Sequence, residues 1–340
     1  MKGETGINNS AKSCTALSRL LFSLAFLLLV ICSPAEALAA ASKPTSSTSP
    51  KAADAGPLDL SPIKLVKKGY RAFLRAQNEP PVICTDRNSV TPHPNVVPLG
   101  YLQFENGSTF DLYRRGGDII LPETEVRLGT WLDGEVRMLA PNYITASGTP
   151  GDFRGASDIQ ISIKQEVERH IFNKKGVDIG VIAGLTLPSG SRSVTTGQVD
   201  PFVQMIAFYR RGKYTLGTSH SIFAISEFPD DNALDGRPDR YVTYQPTAIL
   251  FRHIKGKNDE YEKTDIWMEY AGLFTAGGLP SQIIDFGIVH RPLRRHQIDF
   301  RFGFGLCRES PRALMGFGYS WLPGKVIPFY KRPGEKRYRP

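Results

Sequence analysis

Hydrophobic and polar residues alternate with a period of two over most of the chain beyond Gly100. The alternation is clearest in residues 101–113, 158–167 and 296–306. In the last of these stretches, one parity carries Ile298, Phe300, Phe302, Phe304 and Leu306. A β-strand places residues i, i+2 and i+4 on the same face. The pattern therefore predicts long strands that each have an apolar face and a polar face.

The pattern predicts about twelve such strands. Most have roughly ten residues or more, which is the length of a tilted strand that crosses a bilayer, whereas strands of soluble proteins usually have about five or six. The predicted strands are 101–113, 119–132, 135–144, 157–168, 177–187, 201–210, 214–226, 240–253, 264–274, 282–291, 296–306 and 312–321. An even number of antiparallel strands can close a sheet and remove its edges, which lipid cannot hydrogen-bond.

The predicted fold is therefore all-β, a closed antiparallel transmembrane β-barrel of about twelve strands. The alternative is a secreted soluble β-sandwich or barrel that acts as a binding protein, because strands in such folds also alternate.

The connections between these strands are of two kinds. Those after odd-numbered strands, such as 145–156, 188–200 and 227–239, are mostly long, and those after even-numbered strands, such as 133–134 and 211–213, are mostly short. Outer-membrane barrels have short periplasmic turns and long outer loops. The asymmetry therefore predicts that both ends of the barrel domain face the periplasm.

The N-terminus has the layout of a secretory signal peptide. Basic residues precede the apolar run 20–31, and the small-residue site Ala37-Leu38-Ala39 follows it. An apolar run of about twelve residues is shorter than the roughly 20 that a transmembrane helix needs. We therefore expect export with removal of residues 1–39, with an uncleaved anchor as the alternative and lipoprotein processing at Cys32 as a minor one.

The remaining chain divides by composition. Residues 40–57 are rich in Ala, Ser, Pro and Lys and are predicted to be a flexible linker. Residues 58–99 are predicted to be an N-terminal periplasmic segment with a short basic amphipathic helix at 61–77, which lies on the membrane surface, docks at the barrel mouth or packs on the periplasmic turns. The barrel is predicted over 100–322 and a basic C-terminal tail over 323–340.

Several short motifs occur in a recognisable order. They are Thr85-Asp86-Arg87-Asn88-Ser89, the stretch from Val96 to Gly107, Gly184–Gly190, Val199-Asp200-Pro201 and Gly316-Phe317-Gly318-Tyr319. Together they resemble the motifs of the outer-membrane transporter-like family associated with the meta pathway of phenol degradation. The positions that match are Asp86, Arg87, Pro98, Gly100, Gln103, Glu105, Pro188, Gly190, Asp200 and Pro201.

This resemblance implies an outer-membrane barrel linked to the uptake of aromatic or other hydrophobic compounds. The partners it implies are outer-membrane lipid, a small-molecule solute and the barrel-assembly machinery. The chain departs from the family pattern in two places. Asn88 stands where the family has proline, and the chain continues past Trp321, whereas family members end on an aromatic residue.

In a membrane barrel, the polar parity must face the interior, because a basic side chain near the lipid midplane costs about 2–4 kcal/mol. The residues predicted to face the lumen are Gln103, Glu105, Asp111, Glu125, Arg127, Asp158, Lys164, Glu166, Asp299 and Arg301. Charges of both signs inside a barrel of about twelve strands predict a narrow passage rather than an open pore.

Net charge and cysteine content add little to the prediction of function. The formal net charge is +9, but the basic residues are dispersed and no nucleic-acid motif accompanies them, so we expect no nucleic-acid partner. Two cysteines, Cys84 and Cys307, remain after the signal peptide. In an oxidising compartment they could form one disulfide, or they could remain separate thiols.

The sequence contains no recognisable catalytic, phosphate-binding or metal-binding motif. No histidine has helical metal-ligand spacing or a neighbouring acidic or cysteine cluster, and no Gly-x-Ser-x-Gly motif occurs. The loop 189–197 lacks the lysine of a phosphate loop, and Asp231, Asp235 and Asp239 lack the spacing of a calcium loop. We therefore expect no catalytic residues, no metal, no cofactor and no enzyme activity. The predicted function is a channel or transporter for small molecules, and the alternative is a structural or adhesive surface barrel without flux.

Overall fold

The structure is a computed structural model that describes residues 81–87, 89–131, 133–148, 152–167, 176–226, 240–257 and 259–327. The predicted signal peptide, linker and helix at 61–77 lie outside these residues, as do Asn88 and the acidic loop 227–239. The part of the chain that is described contains no helix long and apolar enough to cross a membrane.

The described residues form one antiparallel sheet of 15 strands. The strands are β1 (Tyr101–Leu112), β2 (Gly116–Leu121), β3 (Glu125–Trp131), β4 (Gly134–Leu139), β5 (Tyr143–Gly148), β6 (Phe153–Ala156), β7 (Ile159–Glu166), β8 (Val177–Leu187), β9 (Asp200–Arg211), β10 (Tyr214–Ser226), β11 (Arg240–Ile254), β12 (Thr264–Thr275), β13 (Ser281–Leu293), β14 (His296–Gly305) and β15 (Ala313–Lys325). The sheet closes because β15 pairs with both β14 and β1.

Three pairs of these short strands each act as one barrel strand. β2 and β3 both pair with β1 and are separated at Pro122, and β4 and β5 are separated at Pro141. Proline has no N–H to donate to the ladder, so it interrupts a strand. β6 and β7 are separated at Ser157 and Asp158. With each pair counted as one strand, the fold is a closed antiparallel barrel of 12 strands, which confirms the predicted fold class.

A single closed sheet also shows that the alternative of a β-sandwich, which needs two sheets, is wrong. We call the end where Tyr101 pairs with Lys325 the termini end, and the opposite end the loop end. Adjacent barrel strands run antiparallel, so β11 ends and β12 begins at the termini end.

The sequence placed some strand boundaries wrongly. Residues 145–156, predicted as a loop, contain parts of β5 and β6, which pair with each other. β2 and β5 also pair with each other beyond the ends of the predicted strands 119–132 and 135–144, so the sheet continues at the loop end. At the other end, β15 extends to Lys325, past the predicted start of the tail at 323, and pairs there with Tyr101 and Leu102 of β1.

The two faces of the barrel differ in composition. The outer face carries large apolar side chains that are strongly exposed, such as Ile163 at 51%, Met205 at 59% and Met268 at 45%. The inner face carries polar and charged side chains that are almost wholly buried, such as Glu105 and Lys164, both at 0% exposure. This arrangement is the reverse of that in a soluble protein with an apolar core.

Part of the inner face is nevertheless apolar. A buried cluster on β8, β9, β11, β12 and β13 consists of Ile182, Ile206, Phe208, Ile249, Phe251, Trp267 and Val289. Phe202 packs against it. The charged inner residues on β1, β3, β4 and β7 lie on the other side of the barrel. The lumen therefore has a charged wall on one side. On the other side, the apolar cluster, which we call the apolar wall, alternates with buried polar and charged residues such as Asp265, Glu269 and Asp285.

Candidate functional site

Residues 82–87 and 89–97, which we call the plug, lie inside the barrel. Near its start, the N–H of Ile83 donates to the carbonyl oxygen of Arg294 at 2.6 Å. Further along, the hydroxyl of Thr91 donates to that of Thr247 at 2.5 Å, and the ring of His93 lies 4.8 Å from the ring of Phe208. These residues belong to the segment 58–99, whose periplasmic location stays a prediction, and they lie within the barrel.

Four carboxylates of the barrel wall accept hydrogen bonds from the backbone of the plug. Glu105 accepts from the N–H groups of Asp86 (3.0 Å) and Arg87 (2.8 Å), Glu269 from those of Val90 (2.7 Å) and Thr91 (2.7 Å), Glu166 from that of Val96 (2.9 Å), and Glu135 from that of Val97 (2.6 Å). A segment without regular structure would otherwise bury unpaired N–H groups, which is costly. Carboxylates from both sides of the lumen thus supply the hydrogen bonds that a β-ladder supplies elsewhere.

The side chain of Asp86 is the centre of an ion-pair network. Its carboxylate lies 2.8 Å from Nζ of Lys164, 3.0 Å from Nη2 of Arg137 and 3.5 Å from Nη1 of Arg127. Arg127 and Lys164 are 0% exposed. Buried charges are stable only when they are paired. In the described residues, Asp86 is the ion-pair partner of Lys164, so plug and wall depend on each other for neutralisation.

Arg87 points to the opposite side of the plug and lies flat against the wall. It pairs with Glu123, donates to the carbonyl oxygen of Phe317, and its Nε lies 3.9 Å from Asp299. Two glycines make room for it. A Cβ on Gly107 would lie 1.8 Å from the guanidinium, and one on Gly318 would lie 2.4 Å from Nε. Both glycines are needed for this close approach.

Most of the residues predicted to face the lumen contact the plug or the charged side chains around it. Gln103, Glu105, Arg127, Lys164 and Glu166 bind the plug directly, and Glu125 and Asp299 pair with Arg137 and Arg87. Arg301 donates to Thr109 at 3.1 Å, and Asp111 lies on the same strand as Thr109. Asp158 has another role, because it accepts hydrogen bonds from the N–H groups of Ser189 and Gly190 and anchors the connection between β8 and β9.

The motif residues outside the plug occupy strand ends. Gly100 has a φ of 80° and donates its N–H to Gly129 at 2.7 Å, so it and Pro98 turn the chain from the plug into β1. Pro188 and Gly190 lie just beyond β8. Asp200 accepts from the N–H and hydroxyl of Ser226 at 3.1 Å and 2.7 Å, whereas Pro201 is exposed on the outer face.

The plug separates two cavities. The cavity on the loop-end side has a volume of about 320 Å³. Polar and charged residues such as Arg137 and Arg301 form most of its lining, and Phe202 and Phe223 are among the apolar residues. The cavity on the termini-end side has a volume of about 260 Å³, and Phe208 and Phe251 belong to its wall. Asp86 and Arg87 border the first cavity, and Ile83 and Cys84 border the second.

The structure also places on the inner face charged residues that the sequence did not predict there. Glu135, Arg137, Glu269 and Asp265 lie on the inner face, and the polar parity of β4 and β12 was the signal that could have found them. The expectation that no histidine neighbours an acidic cluster was wrong, because His253 lies close to Glu262 and Asp265. These carboxylates are 9 and 12 residues away in sequence, so only the turn between two strands brings them together.

Cys84 and Tyr261 also border the termini-end cavity. Cys84 is a free thiol, so the disulfide between Cys84 and Cys307 is absent from the structure. Cys84 borders the termini-end cavity, whereas Cys307 follows β14 at the loop end. Tyr261 lies in the connection between β11 and β12 and donates its hydroxyl to the carbonyl oxygen of Arg291 at 3.2 Å. Loss of solvation raises the pKa of Tyr261, which keeps this hydroxyl protonated.

A scan of the chain against protein-family models finds no match. A search of curated proteins finds no match either. Among solved structures, the chain is similar to an outer membrane channel from Pseudomonas putida F1, with a TM-score of 0.52 and 13% identity over 69% of this chain and 100% of that chain. The fold of this chain is thus that of the channel's barrel.

Two other solved structures show weaker similarity. The NanC porin has a TM-score of 0.42 and 9% identity over 65% of this chain and 98% of that chain. The β domain of the Bordetella autotransporter BrkA has a TM-score of 0.40 and 10% identity over 65% of this chain and 97% of that chain.

Proposed function

We propose that this chain is an outer-membrane channel that takes up small molecules and is closed by its own plug in the state described here. The observation that carries the proposal is the open space that the lumen keeps on both sides of the plug. A purely structural barrel would gain stability by filling its interior with side chains, as barrels of about eight strands do. This barrel instead leaves a cavity of about 320 Å³ and one of about 260 Å³ on the two sides of the plug.

The outer face supports the location. Apolar side chains with exposures of 51% at Ile163 and 59% at Met205 would be costly in water, and lipid would cover them. Closure of the sheet leaves no edge that lipid would have to hydrogen-bond. The short turns at the termini end favour an orientation in which that end faces the periplasm.

The apolar wall supports the solute class. Phe202 and Phe223 border the loop-end cavity, and Phe208 and Phe251 border the other. These aromatic side chains stand among polar and charged ones, and they offer apolar surface on which small aromatic or other hydrophobic solutes bury their own, which sugars do not gain from. The resemblance to the phenol meta-pathway family points to the same class.

Reconstitution of the purified protein into liposomes tests this proposal. We expect liposomes that contain the protein to swell in an isosmotic solution of benzenesulfonate, which is aromatic and does not cross lipid readily, and to swell much less in sucrose. Liposomes without protein provide the control. If neither solute enters through the folded barrel of the unchanged protein, or of the variant Asp86→Asn in which the plug is held less tightly, the alternative of a structural or adhesive barrel without flux is favoured.

The variant Asp86→Asn provides a second arm of the same experiment. Asp86 ties the plug to Lys164 and Arg137. We expect this variant to admit benzenesulfonate faster than the unchanged protein. Equal or slower entry through a folded variant would contradict the proposal that the plug closes the path.

A further inference from the structure

Three side chains with metal-binding atoms converge on the inner wall at the termini end, apart from the ion-pair network of the plug. His253 lies near the end of β11, Asp265 near the start of β12, and Glu262 in the connection between them. One ligand atom from each residue lies within 4.8 Å of the others. The side chains of His253, Asp265 and Glu262 are 12%, 7% and 30% exposed, so an ion can reach them from the termini-end cavity, which all three border.

We propose that His253, Glu262 and Asp265 form a binding site for a divalent transition-metal ion, with Zn²⁺ as the best match. One imidazole nitrogen and two carboxylate oxygens form a donor set that Zn²⁺ accepts. Three protein ligands leave the fourth position of a tetrahedral ion open for water or for a solute. The site therefore belongs to the open class rather than the closed structural class.

Two arginines hold the carboxylates in the required orientation. Nη1 of Arg291 lies 2.6 Å from Oδ2 of Asp265, and Nη2 of Arg210 bonds Oε1 of Glu262. Each arginine thus occupies one oxygen of its carboxylate. The other oxygens, Oδ1 of Asp265 and Oε2 of Glu262, lie 2.7 Å and 3.8 Å from Nδ1 of His253. Outer hydrogen bonds of this kind orient the ligands of known metal sites.

The histidine ring is oriented in the same way. Nε2 of His253 lies 2.7 Å from Oγ1 of Thr215 on the neighbouring strand β10. When a metal binds Nδ1, the ring proton must be on Nε2, where it donates to this hydroxyl. A ligating histidine usually donates its second N–H to such a partner. The existing contact therefore stabilises the tautomer that metal binding needs.

Metal binding requires only small movements. Nδ1 of His253 and Oδ1 of Asp265 share a hydrogen bond at 2.7 Å, and the ion would replace its proton. Ligand atoms about 2.0–2.2 Å from a tetrahedral Zn²⁺ lie about 3.3–3.6 Å from one another. Oδ1 of Asp265 must therefore move away from Nδ1 by less than about 1 Å, and Oε2 of Glu262 must move slightly closer. The charges of Arg210 and Arg291 oppose the ion and limit its affinity.

Isothermal titration of ZnCl₂ into the folded, EDTA-treated chain in detergent tests the proposal. We expect one saturable site per chain in the unchanged protein. Glu262→Gln should weaken binding at least tenfold, and His253→Ala should abolish it.

His290→Ala provides a matched control. His290 lies on β13 at the same end of the barrel, with its Nδ1 3.0 Å from Oγ1 of Thr264, but it neighbours the inward Val289 and so has the outward parity. Its replacement should leave Zn²⁺ binding unchanged.

The proposal is overturned if the unchanged protein shows no saturable binding, or if His253→Ala binds Zn²⁺ as the unchanged protein does. The heat-dependent shift in gel mobility shows whether each variant is a folded barrel. If His253→Ala does not fold, Glu262→Gln decides the question, because Glu262 lies outside the strands and equal affinity in that variant would also overturn the proposal. Neither result depends on whether the barrel conducts solutes.

Discussion

Replacement of Asp86 by asparagine tests how the plug is held. The change keeps the size of the side chain but removes the charge that neutralises Lys164, whose Nζ lies 2.8 Å from Oδ2 and 2.9 Å from Oδ1 of Asp86. Arg127 and Arg137 retain other partners, because they also bond Glu105, Glu135 and Glu125. The main consequence is therefore one buried lysine without its ion-pair partner.

The size of the effect follows from this geometry. Breaking a buried ion pair by removing one partner costs about 3–5 kcal/mol. The asparagine oxygen can still accept a hydrogen bond from Lys164, so we expect the lower end of this range. A loss of about 3 kcal/mol changes an equilibrium by roughly two orders of magnitude. The plug should still remain mostly bound, because six backbone hydrogen bonds to wall carboxylates persist, each worth about 1.5–3 kcal/mol.

Single-channel recording in planar bilayers provides the assay. The unchanged protein should show a small conductance with rare transitions to a larger one, and Asp86→Asn should make those transitions about a hundredfold more frequent. Asp111→Asn is the matched control, because it removes the same charge from the inner wall at the other end of β1. Our account of the plug is refuted if Asp86→Asn and Asp111→Asn behave alike, or if the large conductance is equally rare in Asp86→Asn and the unchanged protein.

Three further predictions address the wall and the outer face. Glu269→Gln should also increase the frequency of large conductances, because Glu269 accepts two N–H bonds from the plug, and an unchanged record would contradict this role. If mid-strand residues contact lipid, Met205→Arg should lower the free energy of unfolding by about 2–4 kcal/mol. Leu112→Arg at a strand end should lower it by only about 0–1 kcal/mol. Equal losses in a urea titration in lipid would argue against a membrane location. Phe208→Ala should destabilise the barrel by about 3–5 kcal/mol in the same titration, because Phe208 is 2% exposed in the apolar cluster, whereas the lipid-facing Phe304→Ala should cost less.

The sequence by itself determined the strands and their number. Alternation with a period of two marks each strand, since successive side chains point to opposite faces of a sheet. The same alternation predicted a charged inner parity, and Gln103, Glu105, Arg127 and Lys164 indeed lie in the buried interior. The predicted strands 119–132 and 135–144 run through the prolines at 122 and 141, whereas the structure interrupts the sheet at each of them, because proline has no N–H to donate to the ladder.

The apolar wall of the lumen was not visible in the sequence. On β9, Phe202, Ile206 and Phe208 face inward, while Val203 and Met205 face outward. When both faces of a strand are apolar, alternation carries no information about which face is inside. Only the closure of the barrel assigns these residues to the lumen.

Tertiary structure alone decided the plug and the histidine cluster. Residues 82–87 and 89–97 have no periodic pattern, and their position depends on hydrogen bonds to Glu105, Glu135, Glu166 and Glu269, which lie on four different strands. His253 meets its two carboxylates because a turn folds β12 back along β11. Local sequence determines how each strand distributes its side chains between two faces, whereas contacts between residues distant in the chain exist only once the sheet has closed.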